Sequence, residues 1–535
     1  MSGAKKMVQT TKRQTYVCPK CGGNLVRDGY AGSGKQRWSC KSRLGGNRTT
    51  CYRTTSPESA SELRQNGRPV GPPPVFKRKL EPVKRYIVTA AQNATPLHDG
   101  FWKALQIATK HYNAELLVIP LRYKNPTSRW ENAKAETDEW WDPKVVPFLW
   151  NVRKVLNDNI EVLGDMKIQP TAVEPLTGLE GFTGARSAIV GHTKLAFQTV
   201  PTPGHKMAKI MTTTGACTIK NYSDTRAGKH GEFHHTLGAV IVEVQEKKFW
   251  LRHLNADKDG WIKDLEWEFT PQSVQKGERP AAIVLGDTHV DFTDPGVERA
   301  TFGPGSILDI LAPEKIIWHD LLDAYSVNPH HKGNPFNAIA KLASGLDDVA
   351  GEVRRAIEYV RIHTPAGVES YIVSSNHDDM LHRWILNHDW KSDPKNAAFY
   401  LETALAIAKA TKMGDGGTEY PRPFKYWVDR AAIPGLVCLG GEELTVAGIL
   451  CSAHGDIGPN GARGSAKNLR RIGVKSVIGH SHSPQISEGC YQVGTSSRLQ
   501  LEYNKGPSGW LHCHCLIHAD GKRQLIVIID GRWRL

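Results

Sequence analysis

Short apolar runs that end in polar, chemistry-bearing residues recur through the second half of the chain. Runs of three to five apolar residues bounded by glycine or polar residues predict buried β-strands. Five runs end, in chain order, at Asp287 with His289, at Asp320, at Asn376 with His377 and Asp378, at His454, and at His480 with His482. Because α/β sheets bind ligands beyond the carboxyl ends of their strands, this pattern predicts one shared site.

The preceding residues, 85–275, have a similar alternation but no comparable set of ligand-type residues. Residues 85–120 predict a β-α-β unit. Later in this half, a strand, Gly191-His192, a Thr-rich stretch and a hairpin follow one another, as they do near the end of the chain. We hypothesise that residues 85–275 are a degenerate second copy of the fold of residues 276–535. Chance similarity between two α/β domains is the alternative.

Two segments surround the predicted strands of the second half. Apolar residues at helical spacing between 346 and 360 predict a helix that covers the sheet. Residues 380–435 form an insertion rich in aromatic and basic residues. It is interpreted either as a lid that contacts single-stranded nucleic acid or as a segment whose aromatics pack its own small core.

Length and composition place the chain among large proteins without a membrane span. A chain of 535 residues is long enough for several domains. No stretch reaches the roughly 18–20 consecutive apolar residues that a transmembrane helix needs, and the basic first residues lack a following apolar region. We therefore expect a cytoplasmic protein without a membrane partner, in the host cytoplasm if a phage encodes it.

The positive charge is concentrated at the beginning of the chain. Residues 1–85 contain 19 Lys and Arg but four Asp and Glu, so they account for the whole net charge of +15. Such a concentrated basic segment is typical of proteins that bind nucleic-acid phosphates. A solubilising tail is the alternative.

Four cysteines fall in this basic segment. Cys18 and Cys21 form a C-x2-C turn, and Cys40 and Cys51 complete a set of four thiolates for one structural Zn2+. Two short strands between the pairs resemble the zinc ribbon of some transposition proteins. A zinc module without a nucleic-acid role is the alternative. The predicted organisation is a zinc ribbon at 1–53, a Pro-rich linker at 54–84, an α/β domain at 85–275 and a catalytic domain at 276–535.

The strand-end residues are of the type that binds first-row divalent metals. Carboxylate oxygens and imidazole nitrogens suit Mn2+, with Mg2+ or Fe2+ as alternatives. The sequence therefore predicts a metal centre at this shared site.

The order D-x-H, D-x-x-D, N-H-D, H and G-H-x-H resembles the calcineurin-like metallophosphoesterase family. Within it, His319-Asp320-Leu321-Leu322-Asp323 is similar to the second motif of SbcD-type DNA-repair nucleases, with His319 in place of the family's glycine. Ser375 stands where the third motif begins with glycine. The resemblance covers about residues 281–530 and implies an α/β fold, a β-sandwich flanked by helices.

The resemblance also implies roles for individual residues. It places Asp287, His289 and His482 on one metal, places Asn376, His454 and His480 on the other, and makes Asp320 the bridge. His377 would act on the leaving oxygen without binding metal, and Asp378 would orient His377.

The leading hypothesis is a two-metal nuclease that acts on DNA, with the zinc ribbon as a nucleic-acid-binding module. Candidate nucleic-acid contacts are Lys35, Arg37, Arg463 and Lys467. The alternative is a phosphatase or small-molecule phosphodiesterase that its zinc module targets elsewhere. A binding protein with a vestigial site is disfavoured because every expected ligand is present. The combination of zinc ribbon, doubled body and nuclease site suits a phage or mobile element.

Overall fold

A computed structural model describes residues 18, 25–31, 33, 35–40, 53–54, 82–123, 140–204, 206–415, 417–502 and 504–535. The chain divides into two compact units, residues 1–82 and residues 83–535. The boundary falls near the end of the linker predicted at 54–84.

The first unit contains a small antiparallel sheet of three strands. These are β1 (Leu25–Tyr30), β2 (Gln36–Cys40) and β3 (Arg53–Thr54). Leu25 pairs with Cys40, and both are buried together with Cys18. The two strands predicted between the cysteine pairs are confirmed. Cys21 and Cys51 lie outside the described residues, so the zinc site stays a prediction.

The second unit begins with a half that extends to about residue 276 and is built mostly of strands. Its strands are β4 (Lys84–Gln92), β5 (Glu115–Leu121), β6 (Arg153–Asn157), β7 (Ile160–Leu163), β8 (Ser187–Val190), β9 (Ala196–Val200), β10 (Lys209–Thr213), β11 (Gly238–Gln245), β12 (Lys248–Ala256), β13 (Ile262–Asp264), β14 (Trp267–Phe269) and β15 (Val274–Lys276). Its helices are α1 (Asp99–His111) and α2 (Arg226–His234). The β-α-β unit predicted from residue 85 is confirmed, because β4 and β5 are parallel and α1 connects them.

The second half contains the predicted strand ends. Its strands are β16 (Ala282–Val284), β17 (Lys315–Trp318), β18 (Glu369–Ile372), β19 (Lys412–Gly414), β20 (Gly417–Glu419), β21 (Leu436–Cys438), β22 (Thr445–Val446), β23 (Ile449–Leu450), β24 (Ser476–Ile478), β25 (Gln485–Ser487), β26 (Cys490–Gln492), β27 (Cys513–Ile517) and β28 (Arg523–Val527). Its helices are α3 (Pro295–Phe302), α4 (Ile307–Leu311), α5 (Pro335–Ser344), α6 (Val349–His363), α7 (Asn376–Asn387), α8 (Ala397–Ala410), α9 (Pro423–Arg430) and α10 (Ala466–Leu469). The helix predicted between 346 and 360 is α6.

The two halves share one ten-stranded sheet. Its order is β22-β23-β24-β26-β25-β9-β10-β8-β7-β6, so that β9 of the first half pairs antiparallel with β25 of the second. Phe197 lies opposite Ile486 and Gln198 opposite Gln485 at this junction. Both Phe197 and Ile486 are buried, and burial of such side chains stabilises a fold by about 1.5–3 kcal/mol each. The halves are therefore joined through backbone hydrogen bonds and a common core.

The order of strand pairing is the same in both halves. In the shared sheet, β6-β7-β8-β10-β9 have the same sequence of parallel and antiparallel pairings as β22-β23-β24-β26-β25. Each half adds a second sheet in which two parallel strands are followed by an antiparallel pair: β5-β4-β11-β12 in the first and β17-β16-β27-β28 in the second. The two central strands of the ten-stranded sheet, β9 and β25, are antiparallel. The strand patterns of the two halves are therefore related as by a two-fold axis between these strands.

The core explains how these sheets are layered. One buried apolar cluster contains residues from the ten-stranded sheet and from the second sheets of both halves, such as Val162, Val240 and Val284. A second cluster joins α1 to the second sheet of the first half. A third joins helices α3, α4, α6, α7, α8 and α9 to the second sheet of the second half. The sheets thus form a sandwich with helices on its outer faces. The predicted mixed α/β class is confirmed.

Candidate metal centre

Three neighbouring parallel strands bring the first ligand-type residues together. β16 pairs with β17, and β17 pairs with β18, so their carboxyl ends lie side by side. The loops beyond β16 and β17 are tied by backbone hydrogen bonds from the Thr288 N–H to the His319 carbonyl and from the His289 N–H to the Asp320 carbonyl. β-branched residues make these strands, and the tied loops place Asp287 beside Asp320.

Four of the seven predicted ligands have left-handed backbone conformations. The φ angles are 46° at His289, 42° at Asp320, 78° at His480 and 58° at His482. Non-glycine residues adopt this region at a cost, and such conformations are concentrated at functional sites. The backbone is therefore bent at these positions to turn the side chains toward one point.

One group of ligand-type atoms surrounds Asp287. His482 Nε2 lies 3.2 Å from Asp287 Oδ2, and 3.0 Å from His289 Nε2. His289 Nε2 lies 3.7 Å from Asp320 Oδ2. The structure thus brings together the set predicted for one metal, Asp287, His289 and His482, with Asp320 at its edge.

A second group lies on the other side of Asp320. His454 Nε2 is 3.1 Å from Asp320 Oδ2, and His480 Nδ1 is 3.0 Å from Asn376 Oδ1. Asp320, His454 and His480 offer ligand atoms within 4.8 Å of one another. All four residues predicted for the second metal are therefore adjacent, and Asp320 belongs to both groups.

Burial of these polar groups is unusually costly without a bound cation. Asp287 and His289 are fully buried, and Asp320 is 1% exposed. Asp320 Oδ1 has no hydrogen-bond partner among the described residues, and the Asp287 carboxylate and His454 Nε2 face other ligand-type side chains. Buried polar atoms are normally hydrogen-bonded, and buried charges are paired or bind metals. The donor set fits two divalent metal ions.

The electrostatics of the site show how strongly its groups interact. Burial and the neighbouring Asp320 raise the pKa of Asp287 well above its usual value. Burial opposes ionisation of Asp320, but His454 and His377 hold the pKa of Asp320 well below its usual value. Burial disfavours charge on His454, yet Asp320 raises the pKa of His454 to about 9. The pKa values of the two aspartates are therefore shifted in opposite directions, upward for Asp287 and downward for Asp320.

His377 lies beside the site without being part of either predicted set. Its ring is 4.7 Å from the ring of His289, and its Nδ1 donates a hydrogen bond to the Asp323 backbone carbonyl at 2.5 Å. Burial would lower the pKa of His377, but Asp320 and Asp323 raise it above the usual value. The position and charge suit a proton donor.

Asp378 takes part in the cap of α7. Its carboxylate accepts a hydrogen bond from the Ser375 N–H at 3.1 Å, while the Ser375 hydroxyl accepts one from the Asp378 N–H. This reciprocal arrangement is a capping box at the beginning of α7. The Asp323 carbonyl accepts the hydrogen bond from the His377 ring, and the expectation that Asp378 orients His377 stays a prediction. Ser375, where the family has glycine, is the N-cap of α7.

Two residues of this site were not assigned a role from the sequence. Asp323 Oδ1 lies 2.8 Å from His289 Nδ1, so its carboxylate faces the ring nitrogen opposite Nε2, the nitrogen that faces His482 and Asp320. His319 is fully buried, and its Nδ1 lies 3.2 Å from His454 Nδ1. The D-x-x-D spacing could have indicated Asp323, whereas nothing in the sequence indicated the contact of His319.

A cleft of about 700 Å³ opens beside the metal-ligand groups. His480 lines one end, and Gln198 and Thr199 of the first half line another part. Arg463, in the loop before α10, borders the cleft and is exposed. Lys467, on α10, is also exposed. In the first unit, Lys35 precedes β2 and is exposed, and Arg37 within β2 is half-buried. The candidate contacts thus belong to two separate units of the chain.

The insertion at 380–435 packs much of its aromatic surface internally. The ring of Trp427 stacks on Phe399 at 5.0 Å, and its Nε1 donates a hydrogen bond to the Thr403 hydroxyl. Trp384 stacks on His388. These contacts favour packing of the insertion's aromatics over a lid, but Phe399 and Trp427 belong to the apolar cluster of the second half's sheet and not to a separate small core.

Comparison with known proteins gives one clear relative. The chain is 29% identical over 462 residues to "Protein A1" of Escherichia phage T5, a match that spans 84% of this chain and 83% of that protein. No protein-family model matches the chain, and no solved structure matches it. Among the described residues, no helix is long and apolar enough to cross a membrane.

Proposed function

We propose that the protein is a metal-dependent nuclease that hydrolyses phosphodiester bonds of DNA. The observation that carries the proposal is the convergence of two ligand groups on the single carboxylate of Asp320. Asp287, His289 and His482 lie on one side of it, and Asn376, His454 and His480 lie on the other. We expect Mn2+ at both positions, with Mg2+ or Fe2+ as alternatives, and one structural Zn2+ in the first unit.

The residues around the two groups divide the work of hydrolysis. Two bound divalent ions supply charge neutralisation of the phosphodiester and activation of a water molecule. His377 donates from Nδ1 to the Asp323 carbonyl, which leaves Nε2 to face the reaction. Because Asp320 and Asp323 favour its charged form, His377 can donate the Nε2 proton to the leaving oxygen. Asp323 also faces His289, as an outer carboxylate does when it orients a metal-binding imidazole.

Two features support nucleic acid as the substrate. Residues 1–85 contain the whole net positive charge of the chain, which suits contact with phosphate backbones. The cleft beside His480 has Arg463 at its border and polar residues from both halves along its wall. Such a cleft accommodates an extended polar substrate, with phosphate contacts at Arg463 and Lys467. Lys35 and Arg37 are separate candidate contacts of the first unit.

The first half serves this function as a degenerate copy that has lost its ligands. Equivalent backbone hydrogen bonds run from the Cys217 N–H to the Ala90 carbonyl and from the Ser496 N–H to the Asp287 carbonyl. By this correspondence Ala90 stands where the second half has Asp287. At the strand end after β8, Lys194 stands where the second half has His482. In the described part of the first half, these two positions therefore lack metal-ligand residues, and Gln198 and Thr199 contribute to the wall of the cleft.

The proposal is tested with labelled linear and circular DNA in the presence of Mn2+. We expect the wild type to cleave DNA. Asp320→Asn should cleave at least about a hundredfold more slowly, because its amide cannot act as a shared anionic ligand. Asp415→Asn, which removes an exposed carboxylate in the turn between β19 and β20, is the matched control and should cleave normally.

The alternative function, a phosphatase or small-molecule phosphodiesterase, uses the same metal ligands. Its signature would be intact DNA together with turnover of an aryl phosphate or bis-aryl phosphodiester. If a preparation that binds two Mn2+ ions per chain turns over these small substrates but leaves DNA intact, the nuclease proposal is overturned and the metal centre is retained.

A further inference from the structure

His319 contacts His454, one of the proposed metal ligands. The contact is made at His454 Nδ1, the ring nitrogen that does not face the metal position. The Nε2 atom of His454 is 3.1 Å from the shared carboxylate of Asp320, so this nitrogen is the one directed at the metal position. The other ring nitrogen, Nδ1, lies 3.2 Å from Nδ1 of His319. The two rings are inclined by 33°, with centroids 5.4 Å apart.

The fold makes room for this second imidazole. His319 is fully buried, and a Cβ atom added at Gly479 would lie 3.0 Å from its Cβ and Cγ and 2.2 Å from Asp287 Oδ1. The absence of a side chain at Gly479 therefore allows both Asp287 and the His319 ring to occupy the interior. The Gly479 N–H also donates to the His454 carbonyl at 2.7 Å, which holds the two chain segments together.

Proton placement on the two rings follows from the metal-facing role of His454. Two nitrogen atoms form a hydrogen bond when one carries a proton and the other offers a lone pair. A divalent ion held by His454 Nε2 would take the lone pair of that nitrogen, so the proton of the neutral ring would be on Nδ1. His454 Nδ1 would then donate to His319 Nδ1, and the proton of His319 would be on Nε2, which has no hydrogen-bond partner among the described residues.

We propose that His319 is a positioning residue that fixes the tautomer and orientation of His454 for metal binding. An imidazole that binds metal ordinarily donates its other N–H to a carboxylate, a carbonyl or water. Here the acceptor is a second histidine, His319, which immediately precedes Asp320 in the sequence. The inference rests on the metal centre of the proposed function, and it adds a residue to neither ligand set.

Paired substitutions distinguish this role from direct metal binding and from simple packing. The side-chain amide of Asn reaches the place of the imidazole Nδ1, whereas that of Gln reaches the place of Nε2. We expect His319→Asn to bind two Mn2+ ions within a few-fold of the wild-type affinity. In His319→Gln and His319→Ala, the weaker of the two Mn2+ dissociation constants should rise by about 10–100-fold.

Metal binding is measured directly, by the electron paramagnetic resonance signal of free Mn2+ during titration of metal-free protein. A buried histidine of the first half, His253, provides the control. Its ring contacts Thr212 and Thr213, so His253→Ala should affect stability without changing Mn2+ affinity. Thermal unfolding of each variant shows which ones are folded.

The outcomes separate the two proposals. Wild-type affinity in folded His319→Ala, or retained affinity in His319→Gln with loss in His319→Asn, would overturn the positioning role. Binding of two Mn2+ ions by the wild type without DNA cleavage would instead contradict the nuclease proposal. A combined His319→Ala/His454→Ala variant should bind no more weakly than His454→Ala alone, because both changes act through one ligand.

Discussion

Asp378 gives a quantitative prediction for the metal-free protein. Its carboxyl group is buried at the beginning of α7, where it accepts the Ser375 N–H. Burial, together with the charge of Asp320, raises the pKa of Asp378 from 3.8 to about 7. Asp378→Asn keeps an oxygen for the helix cap but has no ionisable group. The substitution should therefore change how stability depends on pH.

The sign follows from the direction of the pKa shift. When the pKa of a group is higher in the folded than in the unfolded state, its contribution to the free energy of unfolding is fully present below the unfolded-state pKa. This contribution is lost as pH rises through the folded-state pKa. A shift of about 3 pKa units corresponds to a loss of about 4 kcal/mol, complete above pH 7. About 2.5 kcal/mol of this loss falls between pH 5 and pH 8. The Asn variant should gain that much relative to the wild type over the same interval.

The assay is urea unfolding followed by circular dichroism at pH 5 and pH 8, with a chelator present. We expect the difference in unfolding free energy between Asp378→Asn and the wild type to grow in favour of the variant as pH rises. Asp415→Asn is the control for loss of an exposed carboxylate. A difference that is the same at both pH values would refute the reasoning, because it would mean that the buried carboxyl does not titrate in this range.

The remaining predictions concern the metal centre and the first unit. His377→Ala should lower the rate of DNA hydrolysis by about 10²–10⁴-fold while Mn2+ titration still finds two ions, since His377 acts as a proton donor; loss of metal binding would contradict this. Asp323→Asn should weaken Mn2+ binding by about 10–100-fold, because the amide holds His289 less firmly; the exposed Asp415→Asn should not. Deletion of residues 1–60 should weaken DNA binding and reduce its salt dependence while sparing hydrolysis of a small phosphodiester, and an unchanged salt dependence would exclude a role for the basic segment.

The strand ends were predictable because local sequence determines them. Each ligand-type residue follows a short β-branched or apolar run, and β16, β17, β18, β23 and β24 lie where those runs predicted strands. Adjacent parallel strands bring their carboxyl ends to one edge, so the meeting of Asp287, Asp320 and Asn376 follows from the pattern once the strands pair.

Contacts between distant segments were not predictable in the same way. The contact of His319 with His454 joins residues that are 135 positions apart, and neither residue type nor spacing indicates it. Asp378 illustrates the opposite case. Its position after His377 suggested that it orients that ring, but a carboxylate three residues after a serine N-cap also satisfies the helix cap, and the structure shows the capping contact.

The pairing of the two halves could not be derived from alternating apolar residues. β9 and β25 are short segments that each have one partner in the other half of the chain, and local periodicity specifies the faces of a strand but not its neighbour. The similar order of motifs near Gly191-His192 and near Gly479-His480 was the available signal, and it pointed to a relation between the halves without showing the shared sheet.

The junction between β9 and β25 has a practical consequence for any attempt to isolate the metal-binding half. In the intact chain, β25 has β26 on one side and β9 on the other. A fragment that begins near residue 276 would present β25 as an open edge, with Ile486 deprived of Phe197. Open strand edges with uncovered apolar residues promote association between molecules. By covering the edge of β25, the first half therefore protects the second half, which contains the proposed metal ligands, from aggregation.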